Sequence, residues 1–191
     1  RLYGLNRESL WNDELSTMAR LDPGPLSEIF WQRIADYVHP PGYLLLLSGW
    51  TALFGNGEIA LRLPSVIAGI SLLAVAYALT SRAFGRVAGL LTALFCAVSP
   101  LHIRYSQEAR SFALVTCTIL IAAWALVEVL HTPRLSEHSR REDLRAHARW
   151  TSVLALSGTL SAYLSYVGVL ALAALLTFGW AVVLWRAKDR V

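Results

Sequence analysis

The chain has 191 residues, of which 55% are hydrophobic and 16% are charged, and its formal net charge at pH 7 is +4. Soluble globular domains contain about a quarter charged residues, so this composition excludes an ordinary soluble domain and indicates a membrane protein. No pattern in the sequence indicates nucleic-acid binding, and Cys96 and Cys117 lie inside apolar runs without the spacing of metal ligands.

The amino-terminal part of the chain, up to residue 42, is polar and is divided into short pieces by four prolines. Residues 10–21 can form one short helix, for which Asn12 and Asp13 are the candidate N-caps. Residues 26–37 can form a second, because their apolar residues recur near helical spacing.

Residues 43–54 form an apolar run without a charge. A helix of this length spans about 18 Å, which is too short for a hydrocarbon core of about 30 Å. The run therefore predicts an interfacial or re-entrant helix that ends at the Gly-Asn-Gly sequence of residues 55–57.

Longer apolar runs predict membrane-spanning helices at residues 63–81, at 87–103 with Pro100 near the end, and at 111–127 with an extension to 130. Residues 150–185 contain no Asp, Glu, Lys, Arg or His. A single helix of that length would measure about 54 Å, so two crossings joined by a turn near residues 165–168 fit better. The sequence thus predicts an all-α polytopic transmembrane helical bundle with about five crossings.

The distribution of arginine predicts the orientation of this bundle. With five crossings, the basic segments at 82–86, 134–149 and 186–190 fall on one side, which the positive-inside rule makes cytoplasmic. Residues 1–61 are then an extracytoplasmic loop with short amphipathic or interfacial helices. Residues 62–191 are the transmembrane domain, with a cytoplasmic loop near 131–149.

Further expectations follow from this topology. The polar amino-terminal segment has to be translocated, so we expect at least one transmembrane helix before Arg1, in a longer protein. The basic loop at 134–149 is either a solvated cytoplasmic linker or a segment that contacts anionic lipid. The localisation predicted is the cell membrane, with several crossings.

The polar amino-terminal part holds the first candidates for chemistry. Asp13 and Glu14 are adjacent and cannot face the same way on a helix, so either one of them enters a site or both favour the helix amino terminus and face water. His39 precedes two prolines that hold it extended, and it is either part of a surface turn or a donor to phosphate. Arg62, at a membrane edge, is typical of a snorkelling anchor.

The connection at residues 102–110 is unusually polar for a turn between two apolar runs. Charged groups near hydrocarbon are costly unless they are paired or hydrated. Glu108 can pair with Arg104 or with Arg110 in a purely structural role, or these groups can form a site together with Tyr105. The sequence leaves these alternatives open.

Taken in order, these motifs resemble the GT-C superfamily of polytopic glycosyltransferases, near the protein O-mannosyltransferase and aminoarabinose transferase group of glycosyltransferase family 39. The resemblance rests on motifs over residues 5–130 and on hydropathy over 131–191. The matching segments are residues 10–14 (LWNDE), 39–43 (HPPGY), 54–58 (FGNGE), 62–65 (RLPS), 84–86 (FGR) and 99–110.

The resemblance implies an inverting transfer of a sugar from a polyprenyl-phosphate donor to an acceptor hydroxyl on the extracytoplasmic face. Asp13 matches the acidic residue that serves as general base, and positive groups should stabilise the leaving phosphate. The donor-binding candidates are Glu14, His39, Arg104, Tyr105, Glu108 and Arg110.

No cofactor or metal is expected, and the expected partners are the donor, the lipid bilayer and an acceptor that can be a glycan, a lipid or a protein. Two alternatives stay open. A transporter or flippase of lipid-linked sugars should show broken helices at the midplane and internal repeats. The other alternative is a non-catalytic membrane protein of the cell envelope.

Overall fold

The computed structural model describes Leu2, Leu5 and residues 10–21, 40–131 and 140–188. The regular secondary structure of these residues is helical, without a strand, which confirms the all-α fold class. The helices are α1 (Asn12–Ala19), α2 (Gly42–Phe54), α3 (Glu58–Phe84), α4 (Arg86–Val98), α5 (Pro100–Ser106), α6 (Phe112–His131), α7 (Arg140–Leu164) and α8 (Tyr166–Lys188). The predicted helix at 26–37 and the predicted site residue His39 lie outside the described residues.

The long apolar helices confirm a polytopic membrane protein. Helices α3, α6 and α8 are each long and apolar enough to cross a bilayer, and α4 and α5 qualify together as one bent span. Helix α7 differs, because its uncharged part, residues 150–164, measures only about 23 Å along a helix against a core of about 30 Å. The fifth crossing predicted there therefore stays a prediction.

The run at 87–103 is not the single helix that the sequence predicted. It breaks at Ser99 into α4 and α5, whose axes differ by 64°. Pro100 causes the break, since it lacks an N–H donor and its ring clashes with the preceding helical turn. Ser99 then caps α5, where its hydroxyl accepts a hydrogen bond from the backbone N–H of His102 at 3.5 Å. The bend directs α5, with Arg104 and Tyr105, away from the axis of α4.

The short apolar helix α2 confirms the prediction of a helix that ends at the Gly-Asn-Gly sequence. Its C-cap, Gly55, has a φ of 81°, which favours glycine. The indole of Trp50 ties α2 to α3 by donating to the carbonyl of Ala60 at 2.9 Å. At the other end, a Cβ on Gly42 would lie 2.7 Å from the ring of Tyr163, so glycine permits the close approach of α2 to α7.

Helix α1 is shorter than predicted, and its cap is a different residue. Neither Asn12 nor Asp13 is the N-cap; that position belongs to Trp11, whose backbone is extended and whose side chain makes no capping hydrogen bond. The carbonyl of Trp11 accepts from the N–H groups of Glu14 and Leu15, at 2.8 and 2.9 Å. Asp13 and Glu14 therefore lie in the first turn, where carboxylates interact favourably with the helix dipole.

One apolar cluster packs α2, α3, α6 and the end of α7 together beneath α1. Its buried residues are Tyr43, Leu47, Leu61, Ala109, Val115 and Leu164. Because Ala109 belongs to the turn between α5 and α6, this cluster fixes that turn against α3. The charged residues of α1, α3 and the turn meet directly beside it.

Candidate functional site

A buried ion pair joins α1 to α3. Glu14 is 1% exposed and Arg62 is 5% exposed. The guanidinium of Arg62 donates from Nε to Oε1 of Glu14 at 2.9 Å and from Nη2 to Oε2 at 2.6 Å. This is the bidentate geometry in which arginine and carboxylate interact most strongly.

Two backbone groups complete the surroundings of this pair. The N–H of Ala109 donates to Oε1 of Glu14 at 2.8 Å, and Nη1 of Arg62 donates to the carbonyl of Leu5. The pair thus connects Leu5, α1, α3 and the turn that follows α5. Arg62 therefore holds the elements of the site together. The interpretation of Arg62 as a snorkelling anchor is wrong, because its guanidinium group points into the protein.

The surroundings of Glu14 determine its charge. Burial alone would raise the pKa of this carboxyl, but the hydrogen bonds from Arg62 and Ala109 and the charge of Arg62 outweigh burial, and the pKa is lowered. Glu14 is therefore a carboxylate at neutral pH, with both of its oxygens bonded inside the protein.

Asp13 lies about 100° further around the same helix and faces outward. Its side chain is 51% exposed and forms an ion pair with Nη1 of Arg110. The guanidinium of Arg110 also lies 4.7 Å from the ring centroid of Phe112. The backbone of Arg110 is held separately, since its carbonyl accepts a hydrogen bond from the hydroxyl of Ser65 at 3.1 Å.

A second arginine lies on the adjoining helix α5. Nε of Arg104 is 3.0 Å from Oε1 of Glu108, and the Arg104 side chain is 63% exposed. Its guanidinium lies 5.2 Å from the ring centroid of Trp11, at the start of α1. Of the two partners that the sequence allowed, Glu108 thus contacts Arg104, whereas Arg110 pairs with Asp13.

The predicted site residues that the structure describes fall into three groups. Four of them, together with Trp11, form one charged surface at the junction of α1, α5 and the turn before α6. These four are Asp13, Arg104, Glu108 and Arg110, and we call this surface the Asp13 surface. Tyr105 packs beside this surface, with its ring edge-on to Phe112 at 5.1 Å. Glu14 lies beneath it, with its oxygens on Arg62 and Ala109.

The Asp13 surface combines groups with two chemical capacities. An exposed carboxylate can accept a proton from a bound hydroxyl. Two guanidinium groups, on Arg104 and Arg110, can stabilise a negatively charged leaving group. In the part of the chain that the structure describes, no group of three His, Cys, Asp or Glu side chains could hold a metal ion.

Comparison with known proteins gives a family match over most of the chain. Residues 38–186 match a family model described as dolichyl-phosphate-mannose-protein mannosyltransferase. The matched range includes Arg62 and the whole turn with Arg104, Glu108 and Arg110, and it begins after α1. No curated protein and no solved structure gives a significant match.

Proposed function

This chain belongs to the dolichyl-phosphate-mannose-protein mannosyltransferase family, and from that premise we propose that the Asp13 surface catalyses an inverting sugar transfer. The donor is a sugar linked to polyprenyl phosphate, and the acceptor is a hydroxyl group. The observation that carries the proposal is the exposed carboxylate of Asp13 in contact with Arg110, while Arg104 lies over the ring of Trp11 at the start of the same helix.

The reaction needs a base on one side of the anomeric carbon and positive charge on the other. Asp13 takes the proton of the acceptor hydroxyl as that oxygen attacks the anomeric carbon. The bond from this carbon to the phosphate oxygen breaks, and polyprenyl phosphate leaves with the electron pair. Arg104 and Arg110 stabilise the charge on the departing phosphate. Attack from the face opposite the phosphate inverts the configuration.

Arg110 has a second role in this proposal, because it changes partners when the donor binds. A phosphate group offers arginine bidentate hydrogen bonds and competes with Asp13 for the guanidinium. Transfer of Arg110 to the phosphate frees the Asp13 carboxylate for the acceptor hydroxyl. The side chain can make this move while its backbone stays in place, since Ser65 holds the carbonyl of Arg110 and Glu14 holds the N–H of Ala109.

Glu14 and Arg62 support this site as positioning residues. The sequence suggested that Glu14 binds the donor, but its two oxygens already accept three hydrogen bonds inside the protein. We therefore assign to Glu14 the placement of α1 against α3, which sets the position of Asp13. His39 and Tyr105 remain proposed donor-binding residues on the basis of the family motif.

Donor turnover separates the enzyme from the alternative functions. The purified chain in lipid nanodiscs should release polyprenyl phosphate from polyprenyl-phosphate mannose, or from a related lipid-linked sugar, when an acceptor is supplied. NMR of the product should show the inverted anomer. In sealed vesicles a flippase would move the donor across the bilayer without cleaving it. A non-catalytic protein would do neither, and either of these results would contradict the proposal.

The orientation proposed for the site is extracytoplasmic. We predict that Asn56, in the turn before α3, is extracytoplasmic and that Arg141, near the start of α7, is cytoplasmic, because arginine is concentrated at the latter end. In intact cells an impermeant thiol reagent should label Asn56→Cys but not Arg141→Cys, in a background without Cys96 and Cys117. Labelling of Arg141→Cys from outside would contradict the topology and, with it, the location of the site.

Glu108 is predicted to support donor binding by orienting Arg104. Glu108→Gln removes the charge that holds the exposed guanidinium, so the KM for the donor should rise by up to about tenfold, a modest effect because the pair is partly solvated. Membrane insertion should be unchanged. Glu142→Gln, at an exposed carboxylate of α7, is the matched control, and an unchanged donor KM in Glu108→Gln would leave Glu108 with only a structural role.

A further inference from the structure

A second cluster of charged and aromatic side chains lies at the other end of the helix bundle. Arg62 and Arg82 both belong to α3, and the twenty positions from one to the other correspond to about 30 Å along a helix. That distance is the thickness of a hydrocarbon core. Arg82 therefore lies at the membrane surface opposite the Asp13 surface, and the groups around it play no part in the proposed sugar transfer.

Two arginines from two helices contact the last two turns of α6, and a third lies against a tryptophan of α7. Nε of Arg82, from α3, lies 3.0 Å from Oε1 of Glu128. Nη1 of Arg186, from α8, donates to the carbonyl of Leu130 at 2.7 Å. Arg149, from α7, lies 5.4 Å from the ring centroid of Trp150.

Two tryptophans connect these arginines. The rings of Trp124, on α6, and Trp150, on α7, are 5.3 Å apart. The indole N–H of Trp124 lies 3.3 Å from the same Glu128 oxygen that Arg82 contacts. Tryptophan is enriched where the hydrocarbon of a membrane meets the headgroups, so this pair marks the level of the lipid headgroups.

The cluster carries excess positive charge. Among the residues that the structure describes, these contacts bring together three guanidinium groups and one carboxylate, that of Glu128, while the helix carbonyl of Leu130 adds only a partial negative charge. Arg82, Arg149 and Arg186 are all exposed. A negatively charged group that approaches along the membrane surface can therefore reach these three arginines and neutralise their excess charge.

We propose that this α6-end cluster, formed by Arg82, Arg149 and Arg186 with Trp124 and Trp150, binds the headgroup of an anionic phospholipid. The planar guanidinium group suits phosphate oxygens, to which it can donate two parallel hydrogen bonds. Anionic lipids attract basic residues close to a membrane surface. The acyl chains lie along the exposed apolar side chains of α8 that precede Arg186, which include Val183 and Leu184.

The test compares two lipids and two pairs of charge-removing substitutions in the full chain. In nanodiscs, phosphatidylglycerol at equal supply should be retained through detergent extraction in preference to phosphatidylcholine. It should also raise the apparent Tm by about 2–4 °C, the shift that accompanies a modest gain in stability for a chain of this size. The double variant Arg149→Gln/Arg186→Gln should lose both effects. Arg82 stays in place, because its removal would leave Glu128 without this partner.

The matched control removes the same charge from the same end of the molecule. Arg141→Gln/Arg145→Gln neutralises two exposed arginines of α7 that lie about two turns and one turn before Arg149. This variant should keep the preference for phosphatidylglycerol. An equal loss in both double variants would show diffuse surface attraction and would overturn the proposal, as would a wild-type chain that retains the two lipids equally.

A second pair of measurements keeps the proposal testable if Arg149→Gln/Arg186→Gln fails to fold. Arg149→Lys/Arg186→Lys keeps the charge but loses the planar donor geometry, so it should retain less phosphatidylglycerol than the wild type. Soluble glycerol phosphate added to the wild type should leave the retained lipid in place. Displacement by the soluble headgroup at equal concentration would identify a general phosphate site and would overturn the assignment to a membrane lipid.

Discussion

Asp13→Asn is expected to reduce the turnover number of sugar transfer by about 10²–10⁴-fold, the usual effect of removing a general base. Asparagine preserves the size of the side chain, but its amide cannot take the proton of the acceptor hydroxyl. The fold should survive, because Asp13 is half exposed. Single-turnover measurements with saturating donor would show the loss in the chemical step.

Donor binding distinguishes this effect from a loss of charge at the surface. In the proposed mechanism Arg110 leaves Asp13 for the phosphate, so Asp13→Asn should bind donor at least as well as the wild type, whereas Arg110→Gln should bind it more weakly. Glu142→Gln, at the other end of the molecule, is the control for both. Turnover of Asp13→Asn near the wild-type rate would show that Asp13 only interacts with the helix dipole, and the mechanism would be wrong.

Glu14→Gln is expected to lower the free energy of unfolding by about 3–5 kcal/mol, the range for removal of one partner from a buried ion pair. The reason is that Arg62 would keep its charge in a site where it is 5% exposed. Thermal unfolding in detergent micelles would measure the change. Arg62→Gln added to Glu14→Gln should recover part of the loss, because the buried positive charge that has lost the Glu14 carboxylate is then removed.

The same pair predicts a dependence of stability on pH. The pKa of Glu14 is lower in the folded protein than its ordinary value of 4.5. A lowered pKa contributes stability that is present above the ordinary value and is lost as the pH falls through the folded value. The difference in unfolding free energy between the wild type and Glu14→Gln should therefore be largest near neutral pH and shrink in acid. A difference that is constant with pH would contradict the ionised pair.

These two predictions assign different roles to the adjacent carboxylates. For proton transfer, Asp13 is the proposed base, as the family resemblance implied. For the fold, the structure assigns the larger role to Glu14. Activity should therefore be compared per folded molecule, because Glu14→Gln lowers the amount of folded protein as well.

The sequence by itself determined the features that depend on neighbouring residues. Hydropathy alone located the helices observed as α3 and α6, including the extension of α6 past Glu128, because an uncharged run long enough to cross a bilayer has few other stable conformations. The end of α2 could also be predicted from the local sequence, since Gly55 adopts a positive φ that other residues avoid. The order of short motifs was sufficient to indicate the family.

Only the tertiary structure decided which charged groups meet. Asp13 and Glu14 point about 100° apart on α1, and the packing of this helix on α3 selected Glu14 for the interior. Arg62 and Glu14 are separated by 48 positions in the chain, and no periodicity links residues at that distance. The bend at Pro100 placed Arg104 beside Trp11, so that a turn and a distant helix form one surface. Contacts of this kind depend on the relative placement of whole helices, which local propensity does not specify.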